Sequence, residues 1–303
     1  MARGPHPRSP RPPQPRGGRS SGPDRDTPAD SYPLPRRTRD LLAKYKAGLP
    51  EGANASLLLN KLAGPWKHLQ KGEIGDAERK HFLERCIQAC KSAAAERVRA
   101  ELYQRWRAML ASYRDAGWTV HEHTARPAWR FVSGLGLAHS LEVNLVLHRI
   151  GGFPYIPGSS IKGAVRAYAE WKLGQPPRPP DTAAKDLAPQ LVAVFGARDQ
   201  RGKVIFFDAL PASQSQLELD VINVHYPEYY RSGSDRTAPV SPPTEWQNPN
   251  PVLFLAVGRE TRFAFAVAAR EAELAARALA WLQGALQTTG LGGKTRAGYG
   301  LFV

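Results

Sequence analysis

The sequence predicts an α+β fold of the ferredoxin-like type, in which a helical extension precedes a split βαβ core. Three observations predict it. Apolar residues recur every three or four positions between Thr38 and Gly117. From residue 118 onward the patterns follow the order strand, helix, strands, helix, strand. A proline-rich segment at 226–251 interrupts the strands and predicts a long projecting loop.

Residues 1–37 predict a disordered tail, because they hold ten of the 27 prolines and almost no large apolar side chain. Such a segment cannot bury enough surface to offset its ordering entropy. Residues 38–117 predict a helical extension. Short helices are expected in TRDLLAKYKAG and NASLLLNKLAG, each ending at a glycine. Residues 76–117 then predict either one long amphipathic helix or two helices that break near Ser92.

The two cysteines, Cys86 and Cys90, lie four residues apart in this helical pattern. That spacing suits two core residues better than a disulfide or a zinc site, so a reducing, cytoplasmic setting is expected. Neither a signal peptide nor a membrane-spanning segment is expected, since the chain has no long apolar run.

Residues 118–303 predict the RRM-like core domain, a fold that RNA-recognition modules also use. A strand is predicted in SLEVNLVLHR and a helix in GSSIKGAVRAYAEWKL. Further strands are predicted in KVIFFDAL and LELDVI. A hairpin is predicted in VLFLAV, a turn at Gly258 and RFAFAVA, followed by a helix in EAELAARALAWLQGALQTTG and a short strand, LFV.

The charge balance indicates a polyanionic partner. The chain carries 42 Lys and Arg against 27 Asp and Glu, a net charge of +15. Nucleic acid is the simplest partner for such a surface. The alternative is a basic chain adjusted only for solubility.

The sequence GLGGKTRAGYG at 290–300 looks like a P-loop but does not meet its requirements. The first glycine of that motif would fall on Thr288, and a helical pattern precedes the loop where a P-loop requires a strand. A dinucleotide-binding fingerprint would need glycine at Thr295. A nucleotide-hydrolase function is therefore disfavoured.

The segment instead contains two glycine pairs, with five residues between the first pair and the second. Close backbone approach to a ligand is expected at Gly290, Gly292, Gly298 and Gly300. Lys294 and Arg296 lie between them, where they could meet a phosphate backbone, and Tyr299 offers a stacking face. The alternative is a glycine-rich connection that only turns a helix into an edge strand.

A second candidate anion site begins at the Pro157-Gly158 turn. Ser159 or Ser160 is expected to cap the helix that follows, and Lys162 and Arg166 lie on one face of it. The alternative is a capped helix with a solvated basic face. We expect the ferredoxin-like fold to bring this helix start beside the loop at 290–300.

These motifs resemble the RAMP superfamily of CRISPR-associated proteins, which are ferredoxin-like RNA-binding proteins. The resemblance rests on GLG at 134–136, LHRIGGFPYIPGSSIKGAVR at 147–166 and the loop at 290–300. Within it, FPYIPGSSIKG, FFDALP followed by DVINVHYPEYY, and NPNPVLFLAV are similar to the family of sixth subunits of the type III-B (Cmr) effector complex. The resemblance covers roughly residues 125–303 and adds a helical extension.

The resemblance implies a non-catalytic structural subunit of an antiviral ribonucleoprotein, without a cofactor. It implies binding of CRISPR guide RNA near the guide 3′ end, with target RNA, other RAMP backbone subunits and the small helical subunit as further partners, and no membrane. The expected RNA-binding set is Ser159, Ser160, Lys162, Arg166, Gly290, Gly292, Lys294, Arg296, Gly298, Tyr299 and Gly300. On the projecting loop, bases or a neighbouring subunit are expected to meet His225, Tyr229, Tyr230 and Trp246.

Two alternatives to that function stay open. Relatives that process guide RNA use a histidine, and His225 beside Tyr226 is the most suggestive candidate for a metal-independent endoribonuclease. The residues assemble no acid–base pair around it, and Asp220 has no match to a catalytic motif. The HEH run at 121–123 more often lines a strand edge than binds a metal. The second alternative is a pure protein assembly adaptor.

Overall fold

The structure, a computed structural model, describes residues 52–62, 76–139, 141, 143–175, 182–224 and 250–303, with Arg37, Asp40, Tyr226 and Pro242. Within these residues the helices are α1 (Ala55–Lys61), α2 (Asp76–Lys91), α3 (Ala93–Asp115), α4 (Gly158–Lys172), α5 (Pro189–Phe195) and α6 (Ala272–Thr288). The strands are β1 (Thr119–Ala125), β2 (Arg130–Phe131), β3 (Gly196–Ala197), β4 (Gln200–Arg201), β5 (Val204–Phe206), β6 (Leu210–Pro211), β7 (Leu217–Val224), β8 (Asn250–Gly258) and β9 (Phe263–Ala269). The fold therefore mixes helices with antiparallel sheets.

Among the helices whose bounds the structure describes, α1, α2 and α3 precede the sheets, and Ser92 separates α2 from α3. The Oγ of Ser92 accepts a hydrogen bond of 3.2 Å from the Ala95 N–H and so caps a new helix. Of the two alternatives for residues 76–117, the broken helix is confirmed. Cys86 and Cys90 are free and buried in the core, as predicted, and burial raises the pKa of both thiols to about 12.

The first sheet is built around β9. Strand β1 pairs with one edge of β9 from Thr119 opposite Ala269 to Ala125 opposite Phe263, and β5 and β6 pair with its other edge. Successive side chains of a strand point to opposite faces. On one face the phenylalanines of β9 join the core that contains α6, and on the other face its alanines pack with Trp106 of α3. Both faces of β9 are buried, which explains its continuous apolar run.

The second sheet has the order β2-β8-β7, and this arrangement overturns the predicted hairpin. Strands β8 and β9 belong to different sheets, because β8 pairs with β2 and β7 whereas β9 pairs with β1, β5 and β6. The chain reverses at Gly258, whose carbonyl accepts from the Thr261 N–H at 3.2 Å. That turn forms a corner between two sheets, since the pairing edges of both strands are already occupied.

The strand predicted at 140–149 is also wrong for the described residues of that segment. A single bridge joins Leu147 to Pro154, although Leu141 and Leu145 are buried. The segment packs beside α1, where a ring nitrogen of His139 lies 2.7 Å from the Leu59 carbonyl oxygen. The alternation of apolar residues in this segment therefore reflects burial of one side of the chain, without pairing into a sheet.

Several predictions lie outside the described residues. They concern the tail at 1–37 apart from Arg37, the helix at 38–48 apart from Asp40, and His225 with most of the loop at 226–251, including Tyr229, Tyr230 and Trp246. The predicted helix at α4 and the predicted last helix, α6, are confirmed. The final LFV forms a bridge from Phe302 to Pro127 rather than a full strand. Of the helices described, none has the length and apolar character to cross a membrane.

Candidate nucleic-acid interface

The glycine-rich loop follows α6 and adopts left-handed backbone at five of its residues. Their φ angles are 73° at Gly290, 81° at Gly292, 57° at Lys294, 89° at Gly298 and 70° at Gly300. Glycine adopts this region without the steric cost that a Cβ brings. Lys294 is a positive-φ residue other than glycine, so the surrounding backbone holds it in an uncommon conformation.

Hydrogen bonds and close backbone packing close the base of the loop. The Leu291 N–H donates to the Gly300 carbonyl at 2.8 Å, and the Gly300 N–H donates to the Arg130 carbonyl at 2.8 Å. The Gly293 N–H donates to the Val132 carbonyl at 2.9 Å. A Cβ on Gly300 would overlap the Leu291 carbonyl oxygen. Glycine is therefore required here for packing of backbone on backbone.

The tip of the loop carries the charge. Lys294 and Arg296 are exposed, and neither has an ion-pair partner among the residues described. A short 3₁₀ turn, Thr295–Ala297, joins the two cations. Because the base is tied to β2 and the segment after it, the tip presents, on a constrained backbone, two cations that no described residue pairs with.

A polar network supports the loop from below. The Tyr299 hydroxyl donates to Asp220 Oδ2 at 2.7 Å, and Arg130 donates to Asp220 and to Glu218, each at 2.9 Å. Burial and the hydrogen bond to Asp220 raise the pKa of Tyr299 to about 12. Asp220 is thus a structural carboxylate that joins β7 to the loop, as a lone carboxylate at a strand usually is.

Tyr299 does not offer the open stacking face expected from the sequence, because only 6% of the residue is exposed. The exposed aromatic at this site is Trp129, at 46%. Its ring centroid lies 4.8 Å from that of Tyr299, and the Arg130 guanidinium carbon lies 5.0 Å from its centroid. Trp129 and Arg130 are not among the site residues predicted from the sequence. Their adjacency was a usable signal, since an aromatic beside an arginine is a common element of nucleic-acid sites.

The start of α4 differs from its prediction. Neither Ser159 nor Ser160 caps the helix; Pro157 occupies the cap position, and both serines are exposed. The Gly158 N–H donates instead to Asp208 Oδ1 at 2.7 Å. A carboxylate distant in sequence therefore occupies the place that the prediction left for an anion, and no local pattern indicates it.

The two cations of α4 are less free than those of the loop. Arg166 donates to Glu170 Oε1 at 2.8 Å, and only 20% of the Arg166 side chain is exposed. Lys162 is half-buried, and burial together with the charge of Arg166 lowers its pKa. One of the two predicted cations is therefore paired by its own helix.

The described contacts seat the two predicted phosphate sites against different sheets. The loop packs on β2 and on β7, through Val132 and Asp220. The start of α4 packs on the segment after β5, where Gly158 meets Phe206 and Phe207. The fold predicted from the sequence places the loop beside this helix start. The described hydrogen bonds and close contacts of these two segments do not join them to each other.

Three of the described histidines, His123, His139 and His148, have side chains with partners within the fold. His148 stacks on Phe153 at 5.1 Å and accepts from the Gly151 N–H at 2.9 Å. Burial lowers the pKa of His123, His139 and His148. In the described part of the chain no cluster of three or more His, Cys, Asp or Glu side chains could hold a metal ion, and this includes the HEH run.

Comparisons with known proteins bear on these features. The profile of the RAMP superfamily matches residues 113–303. The CRISPR system Cmr subunit Cmr6 of Pyrococcus furiosus is 31% identical over 254 residues, which cover 67% of this chain and 73% of the relative. The CRISPR system CMR subunit Cmr6 of Saccharolobus solfataricus is 29% identical over 149 residues, 49% of this chain and 44% of that protein.

A solved structure shares the fold. A chain in the cryo-EM structure of the type III-B Cmr-beta bound to cognate target RNA matches with a TM-score of 0.54 and 21% sequence identity. The match covers 79% of each chain. The likeness therefore includes most of the described residues.

Proposed function

The chain belongs to the RAMP superfamily, and from that premise we propose that it is a non-catalytic RNA-binding structural subunit of a type III-B CRISPR RNA-guided complex. The similarity to Cmr6 of Pyrococcus furiosus supports this assembly. We expect the subunit to act in the cytoplasm, to cap the backbone near the guide 3′ end, and to neighbour other RAMP subunits and the small helical subunit.

One observation carries the proposal: the constrained tip of the glycine-rich loop holds two cations that have no ion-pair partner in the described part of the chain. A cation that already has a carboxylate partner must lose that partner before it can bind a phosphate. Lys294 and Arg296 have no such partner among the residues described. Their binding to guide phosphates would release counterions from the RNA, which is the main source of affinity for a polyanion.

The start of α4 is the second proposed contact. Ser159 and Ser160 are exposed and can donate hydroxyl hydrogen bonds to phosphate oxygens. Lys162 adds a half-buried cation, whereas the Nε of Arg166 already donates to Glu170. We therefore assign the larger share of phosphate binding to the loop.

The ferredoxin-like arrangement and the projecting loop belong to the same proposal. The order β1, β2, α4, α5, β3 to β9, α6 and a terminal bridge is compatible with a split βαβ core. His225, Tyr229, Tyr230 and Trp246 would meet bases or a neighbouring subunit from that loop. The proposal that the subunit is non-catalytic is supported by His139 and His148, whose rings are engaged in a backbone hydrogen bond and in stacking.

Salt-dependent RNA binding tests the proposal. Lys294→Ala, Lys162→Ala and the double variant are compared with the wild type for binding of guide RNA across a salt series. Each phosphate contact on a single strand contributes about 0.7 to the slope of log affinity against log salt. We expect the slope to flatten in both single variants, by more in Lys294→Ala, and further in the double variant.

Lys203→Ala is the matched control. Its ammonium lies 2.7 Å from Glu271 Oε1 on the surface, so its removal lowers the net charge equally without removing an unpaired cation. We expect it to keep the wild-type slope. If the double variant binds RNA like the wild type at every salt concentration, the phosphate assignment is wrong.

A further inference from the structure

Trp129 stands out among the exposed aromatic side chains because its surroundings hold it in place. It lies between two backbone anchors, since the Ala128 N–H donates to the Leu301 carbonyl at 2.7 Å and the Arg130 carbonyl accepts from Gly300 at 2.8 Å. The indole nevertheless remains 46% exposed. A constrained aromatic surface of this kind loses little entropy when a ligand stacks on it.

The side chains around the indole are themselves fixed. Arg130 lies over the ring at 5.0 Å while both of its carboxylate partners hold it at 2.9 Å. The ring centroids of Tyr299 and Trp129 lie 4.8 Å apart, and the Tyr299 hydroxyl donates a hydrogen bond to Asp220. Gly298 of the loop comes so close that a Cβ there would lie 4.0 Å from the indole. Trp129 therefore borders the same loop that carries the unpaired cations.

We propose that Trp129 is a stacking platform for a nucleobase of single-stranded RNA whose phosphate lies on Lys294 and Arg296. This deepens the proposed function and rests on it. A nucleotide combines a flat neutral base with an anionic phosphate, and this surface offers a partly exposed indole beside the loop that carries Lys294 and Arg296. Glu218, with 37% of its side chain exposed, would repel a phosphate on the Arg130 side. The charged part of the nucleotide is thereby directed to the loop tip and its base to the indole.

A protein partner is the competing occupant of this surface. An apolar partner would bury the indole but would leave Lys294 and Arg296 desolvated without a counter-charge, which is costly. A polyanion matches both the aromatic and the cations, so we argue for RNA. A loss confined to binding of a protein partner would overturn the proposal.

The test uses the full chain and two probes: a uridine oligonucleotide of about 15 nucleotides, and an abasic oligonucleotide of the same length. For Trp129→Ala we expect roughly a 5- to 100-fold loss of affinity for the uridine probe. We expect no loss for the abasic probe and an unchanged salt slope for the uridine probe. Trp129→Phe, which keeps an aromatic ring, should recover most of the affinity.

Trp171→Ala is the matched control, since Trp171 is a 64% exposed tryptophan on α4. It should bind both probes like the wild type. Equal losses on both probes, or wild-type binding of the uridine probe by Trp129→Ala, would overturn the stacking role, as would a loss confined to assembly with protein subunits. If the wild type binds neither probe, the proposed function itself fails, and this result is distinct from the others.

Discussion

The glycine-rich loop and the start of α4 look alike in sequence but differ in how their charges are partnered. Both combine small residues with two basic residues a short distance apart. In the loop, Lys294 and Arg296 are exposed and have no ion-pair partner among the residues described. At the helix, Asp208 already accepts from Gly158, and Glu170 already pairs with Arg166.

The difference shows that a cation-rich motif is a binding site only to the extent that its charges are not already satisfied. An ion pair within the protein must be broken, or shared, before a phosphate can bind. Near the loop, the carboxylates of Glu218 and Asp220 pair with Arg130 below the tip, where they support the loop backbone. At α4, by contrast, Glu170 pairs with Arg166 on the same helix, and Asp208 accepts from Gly158 at the helix start.

The largest effect that separates the two regions is expected from Gly300→Ala. The φ angle of 70° and the overlap of a Cβ with the Leu291 carbonyl should lower the free energy of unfolding by at least about 2 kcal/mol. Gly163→Ala on α4 is the control, because nothing lies within 4 Å of its added Cβ. Since alanine favours helix, this variant should stabilise by up to about 1 kcal/mol. Denaturant unfolding measures both, and equal effects would contradict the packing argument.

The next effect is expected from Tyr299→Phe, which removes the hydrogen bond to Asp220. A hydrogen bond to a charged group contributes about 1.5 to 3 kcal/mol, so we expect the free energy of unfolding to fall by that amount at pH 8. The folded-state pKa is raised from 10 to about 12, so the contribution is complete below pH 10 and is lost as the pH rises toward 12.

The difference between wild type and Tyr299→Phe should therefore shrink from pH 10 upward. Denaturant unfolding at a series of pH values checks this, with Tyr113→Phe as a control that removes a hydroxyl from a residue for which no hydrogen bond to a carboxylate is described. A difference that stays constant with pH would show that the Tyr299 hydroxyl does not titrate in this range.

The smallest effect is expected from Asp208→Asn at the start of α4. If the carboxylate is what keeps a phosphate from the Gly158 N–H, its neutralisation should raise RNA affinity by about twofold to fivefold at low salt. Asp199→Asn removes one charge from another carboxylate that accepts a backbone N–H, from Ala184 at 2.8 Å. An equal rise in both variants would reflect net charge alone, and binding titrations distinguish the two results.

Local sequence patterns predicted those elements in which the apolar spacing matches the burial seen in the structure. The helices α4 and α6, the break near Ser92 and the buried cysteines follow from apolar spacing and capping residues. The hairpin of β8 and β9 could not be predicted correctly. A turn between two apolar runs reads the same whether the strands pair with each other or enter different sheets.

The sequence by itself determined the RAMP motifs, the helical extension, the glycines that permit a left-handed loop and the excess of positive charge. Only the tertiary structure decided which of those charges are unpaired, because Asp208 lies 50 residues from Gly158 and Asp220 lies 79 residues from Tyr299. It also buried Tyr299 and exposed Trp129. Residue type and spacing determine which interactions are possible, but an ion pair or a stacking surface depends on partners that only the folded chain brings together.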